Sequence, residues 1–91
     1  MSDEPFMIPC IHLNGDTKGT LLEQCEAAHT ALYKAIEAVA GMSPNGRNYY
    51  PKGPDAIYAA QRQHAARLAR LESVKREIEA IWEAIDEIPG R

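Results

Sequence analysis

PDAIYAAQRQHAARLARLESVKREIEAIWEAIDEIPG, residues 54–90, decides the fold. Ile57, Ala60, His64, Leu68, Leu71, Val74, Ile78, Ile81, Ile85 and Ile88 recur along it in an almost unbroken alternation of three and four. Such spacing gathers side chains on one stripe of an α-helix, and its persistence is the pattern of helices packed side by side. Pro54 suits the first helical position, where its missing N–H costs no intrahelical bond, and Pro89-Gly90 stops the chain from continuing. One long helix is predicted over 54–88.

Upstream, residues 18–40 carry a second helical pattern. Leu21, Cys25, Ala28, Leu32, Ala35 and Val39 form one stripe, with Leu22, His29, Tyr33 and Ile36 beside it. Two adjacent apolar stripes imply more than one neighbour. Gly41 is a natural residue for the helix end, and Asp16 or Thr17 supplies the cap, although Gly19 weakens the first turn. The fold class that follows is all-α, an antiparallel helical hairpin in a single domain. Residues 1–16 contain Pro5 and Pro9 and no helical period, so they read as an extended arm. Within it Met7-Ile8-Pro9-Cys10-Ile11-His12-Leu13 has the character of a short edge strand, and Asn14-Gly15-Asp16 is a turn signal.

The two helices differ in length by about eleven residues, or about 16 Å at 1.5 Å per residue. Setting Val39 opposite Ile57 puts the start of helix one near Ile78. Ile81, Trp82, Ile85 and Ile88 then lack a partner from helix one. A surface of that kind is covered by the arm or by a second chain, so Ile78, Ile81, Trp82, Ile85 and Ile88 are the expected interface of a homo-oligomer. Composition agrees. The 91 residues are 45% hydrophobic but only 7% aromatic, and much of the apolar content is alanine, which buries little area.

Net charge is −3, unevenly distributed. Residues 1–41 sum to −4, residues 42–76 to +5, and residues 77–91 to −4. The basic block contains the connection 41–53, with Ser43-Pro44-Asn45-Gly46-Arg47-Asn48-Tyr49-Tyr50-Pro51-Lys52-Gly53 at its heart. Helical hairpins turn in about two to eight residues, so this loop is long as well as chemically loaded. Asn45-Gly46 is a tight-turn dipeptide expected to bring backbone N–H groups to the surface. Arg47 offers a planar donor fork and Lys52 a point charge for phosphate. Tyr49 and Tyr50 offer faces for stacking a base, and Asn45 and Asn48 read polar edges. His12, Asn14 and Arg67 are further candidate ligand-binding residues. His12 and Asn14 would reach the loop only from a second subunit or a doubled-back arm. His64, on an apolar seam, is either a core histidine bonded to Tyr33 or Tyr58 or a group facing a cavity.

Other chemistry finds little support. Cys10, His12, Cys25 and His29 are metal-ligand types, but Cys10 and His12 are separated by one residue, tighter than zinc-ligand pairs. No metal and no cofactor is therefore expected. There is no nucleophile elbow, P-loop or carboxylate pair, so the chain does not read as an enzyme. No apolar run approaches the roughly twenty residues of a membrane span, and no signal peptide is evident.

The pair Ile11-His12-Leu13-Asn14-Gly15 and Pro44-Asn45-Gly46-Arg47-Asn48-Tyr49-Tyr50-Pro51 resembles a group of small helical phage and prophage proteins. These share an IHLNG-type start, a PNGR-x-YY loop and a long final helix rich in Ala, Arg and Glu. The resemblance covers most of the chain and implies a phage origin, hence residence in the host bacterial cytoplasm. Asp16-Thr17-Lys18-Gly19 departs from a better-capped helix start. In size, helicity and expected oligomerisation the chain is also similar to phage sponges that sequester nucleotide second messengers of bacterial immunity, an analogy of architecture alone. The expected function is therefore non-enzymatic capture of a small anionic nucleotide, an anti-defence activity. The alternatives are an adaptor or inhibitor that binds a host defence protein through the Trp82 end, and a single-stranded nucleic acid binder, which the net negative charge disfavours.

Overall fold

The computed structural model describes residues 4–89. Residues 1–3 of the expected arm, and Gly90 of the expected helix stop, lie outside them. Helix α1 spans Lys18–Ala40 and helix α2 spans Ala56–Asp86, packed as an antiparallel hairpin. Thr17 caps α1: its hydroxyl accepts the Thr20 amide at 3.1 Å and lies 3.0 Å from the Thr20 hydroxyl. The Asp16-Thr17 start is thus a working cap, satisfying one of the orphan donors of a helix N-terminus. Gly41 ends α1 with φ −66°, an ordinary helical value rather than the left-handed one its identity suggests. Helix α2 begins two residues after Pro54, behind a turn over Pro54 and Asp55. No described helix is long and apolar enough to cross a membrane.

The register differs from the one the seam implied. Lys18 Nζ donates to the carbonyl oxygens of Asp86 at 2.9 Å and Ile88 at 2.6 Å, and His29 Nε2 lies 2.7 Å from Glu79 Oε2. The start of α1 is therefore level with the end of α2, not with Ile78. The extra length of α2 projects at the loop end instead, by about ten residues or about 15 Å. Ile81, Trp82, Ile85 and Ile88 do not lack a partner. Ile85 is the one buried residue among those described, 2% exposed, and Ile78, Ile81, Trp82 and Ile88 are half-buried. Lys18 also caps the end of α2 from within the same chain. Its ammonium sits on the unpaired carbonyls, where the helix dipole is negative.

The seam shifts as well. Along α2 the half-buried positions toward α1 include His64, Leu68, Leu71, Lys75, Ile78 and Trp82, with Ile85 buried, whereas Val74 is 45% exposed. A straight helix drifts about 20° per heptad from a strict 3.5-residue repeat, enough over this length to turn Val74 out and Lys75 in. Among the described residues the arm contains no strand. Its residues 4–7 line a recess with Ser73, Arg76 and Glu77, and residues 11–13 line another with Ile88 and Pro89. The arm therefore runs beside the C-terminal half of α2, one of the two covers expected for that end. The whole is a rod of 61 × 27 × 18 Å.

Candidate functional site

The loop's length has a geometric cause. Because α2 overhangs α1, the chain leaving Ala40 must travel back along α2 before it can enter it. It does so in short hydrogen-bonded steps. Met42 and Ser43 donate their amides to Val39 and Ala40, and two one-turn 3₁₀ helices follow, Gly46–Asn48 and Tyr50–Lys52. Asn45 opens the first of them, its side-chain oxygen accepting the Arg47 amide at 3.0 Å. The amides of Asn48, Tyr49, Lys52 and Gly53 donate to Asn45, Gly46, Tyr49 and Tyr50. With the Arg47 amide, these N–H groups are consumed inside the loop. Gly53, at φ 115°, makes the final bend into α2.

The second 3₁₀ turn packs on α2, and at the corner Tyr49, half-buried, shares a recess with His64 and Arg67. With Val39, Pro44 and Gln63 they line a cavity of about 150 Å³. The fold thus joins one loop candidate, Tyr49, to one helix candidate, Arg67, and turns His64 toward the same space. Tyr33 and Tyr58, expected as partners of His64, are 55% and 57% exposed. Arg47, Asn48, Tyr50 and Lys52 are exposed around this corner and do not line the cavity.

His12 and Asn14 lie at the other end of the rod. The Asn14 amide donates to His12 Nδ1 at 3.3 Å, and the imidazole covers Gly15 so closely that a Cβ there would meet Nε2 at 2.9 Å. His12 shares a recess of about 390 Å³ with Leu13, Thr17 and Ile88. Within one chain these two candidates and the corner do not meet, as α1 alone separates them by about 35 Å.

A polar cluster that the sequence reading missed joins the helices midway. His29 meets the edge of Trp82 with ring centroids 5.5 Å apart and bonds Glu79, which in turn lies 3.8 Å from Lys75. The His29 hydrogen bond, then the charges of Lys75 and Arg76, hold the Glu79 carboxyl below its usual range, with partial desolvation opposing them. The signal that could have found it was the polar side chains, His29 and Lys75, on or beside otherwise apolar stripes. Cys25 is half-buried and Cys10 exposed, and among the described residues no three metal-ligand side chains gather. Compared with known protein families, curated proteins and solved structures, the chain matches none of them.

Proposed function

We propose that the chain is a non-enzymatic binding protein that works as a homo-oligomer and captures a small phosphorylated nucleotide at the loop corner. The observation that carries this reading is the convergence of Tyr49, His64 and Arg67 on one cavity. A phenol face stacks on a base, a guanidinium pairs with phosphate in a fork, and an imidazole donates or accepts at the edge. Pockets for small ligands usually enclose about 300–1,000 Å³, more than this corner does, so part of the nucleotide's surroundings comes from a second subunit. Arg47 and Lys52 at the rim neutralise phosphate left outside the cavity, Tyr50 offers a second stacking face, and Asn48 a polar contact. Asn45 acts through its turn, by holding Arg47 in place. His12 and Asn14 join the site only from another subunit.

The likeness to small phage proteins gives the biological reading. The bound nucleotide is an immune second messenger of the host, and holding it blunts the defence. Native mass spectrometry tests this on protein purified from cells that make cyclic and ADP-ribose-derived nucleotides. The expected result is an oligomer carrying a nucleotide-sized mass in fixed ratio, lost with Arg67→Ala. A nucleotide-free protein across that panel, or one carrying a host protein instead, overturns the reading.

A further inference from the structure

We infer that two copies of the hairpin pack in opposite directions through α2, with Val74 beside the two-fold axis and Arg70 of each copy against Glu77 of the other. The inference rests on the oligomeric part of the function proposed above and does not depend on the ligand.

Val74 is the starting point. It belongs to the apolar repeat of α2, yet Lys75 takes its place toward α1 and leaves it 45% exposed. Ala66, Arg70, Val74 and Glu77 follow one another at four, four and three residues, so they form one row along the helix, and all four are exposed. The arm reaches Glu77 from the side of Ser73 and Arg76 and leaves the row open at Arg70 and Val74.

The row is self-complementary in only one sense. A two-fold contact sets residue i against j and j against i. With the helices antiparallel and crossing at Val74, a cation meets a carboxylate twice and valine meets valine. With the helices parallel, Arg70 would face Arg70 and Glu77 would face Glu77.

The charge of the whole rod favours the same sense. Lys34 lies roughly level with Glu72, given Lys18 beside Ile88 and His29 beside Glu79. On the loop side of that level, residues 34–72 carry six cations and three carboxylates. On the other side, residues 4–33 and 73–89 carry three cations and nine carboxylates. Opposed packing lays the basic half of each copy along the acidic half of its partner.

Area supplies the need. The surface is 7125 Å², whereas a compact monomer of this mass exposes about 5,300 Å². The radius of gyration is 18.9 Å, against about 12 Å for a compact domain of this length. A standard interface removes about 800 Å² from each partner, well within that excess.

Sedimentation equilibrium on the full chain, with far-UV circular dichroism to confirm that each variant folds, decides the matter. The wild type is expected to be a dimer. Arg70→Glu alone and Glu77→Arg alone should each weaken it about tenfold or more, since each sets like charges across the axis. The combined Arg70→Glu/Glu77→Arg chain should return to within about threefold of wild type, as coupled sites do when their signs are exchanged together. A monomer at every concentration overturns both this arrangement and the oligomeric reading. A dimer indifferent to the single reversals, or a combined variant no tighter than either, overturns the arrangement and leaves oligomerisation standing.

Discussion

His29 Nε2 lies 2.7 Å from Glu79 Oε2 while the same imidazole meets the Trp82 ring edge-on, so one side chain of α1 grips two successive turns of α2. With Lys18 on the carbonyls of Asp86 and Ile88, it fixes the register of the hairpin. Apolar stripes tolerate sliding by a turn, whereas hydrogen bonds and an aromatic edge have one partner at one height. These contacts decide which end of α2 overhangs.

Stability should fall in acid partly through Glu79. Its carboxyl is held below the ordinary value of 4.5 in the folded chain, chiefly by the His29 hydrogen bond. A lowered folded pKa contributes stability that is fully present above the unfolded value and lost as pH falls through the folded one. Thermal midpoints measured from about pH 6 down to about pH 3 should therefore drop less steeply for Glu79→Gln than for wild type. Parallel curves would remove Glu79 from the account.

Lys18→Met keeps the aliphatic stem and deletes the ammonium that caps α2. Two charge-assisted hydrogen bonds at the surface of a helix end amount to about 1–2 kcal/mol after allowance for solvent. Denaturant unfolding should show that loss, and hydrogen exchange should show faster fraying of the last turn of α2. Unchanged exchange there would mean that water serves these carbonyls as well.

Ile85 is the hinge of the small core. At 2% exposure, Ile85→Ala should cost about 3–4 kcal/mol. Tyr58→Ala, at a residue 57% exposed on the overhang, should change stability by less than about 0.5 kcal/mol. If the two are equally harmful in urea titrations, the core has been misplaced.

Two of the loop's glycines, Gly46 and Gly53, should respond oppositely. Gly53 sits at φ 115°, which a Cβ resists, and Gly53→Ala should destabilise by about 1 kcal/mol or more. Gly46 has helical-turn geometry and open space where a Cβ would stand, so Gly46→Ala should be neutral or slightly stabilising. Equal thermal midpoints for the pair would contradict the bend assigned to Gly53.

Much of the fold was legible residue by residue. The three–four spacing from Ile57 to Ile88, Gly41 after Ala40, and Thr17 before Lys18 give two helices, their ends and the hairpin, because helix periodicity and capping are local properties of the chain. The content of the corner was partly legible too, since Arg67 stands on α2 and Tyr49 in the loop at positions that local structure can place. What the sequence by itself determined was therefore the elements and their amphipathic faces. What only the tertiary structure decided was how far the helices slide past one another. That displacement rests on Lys18, His29 and Glu79, which meet across 50 to 70 residues of chain. It turned Val74 outward, brought Lys75 inward, closed the Trp82 end and made the loop long. The physical reason is that an apolar stripe has nearly the same energy at neighbouring registers, and only partners far apart in sequence break that degeneracy.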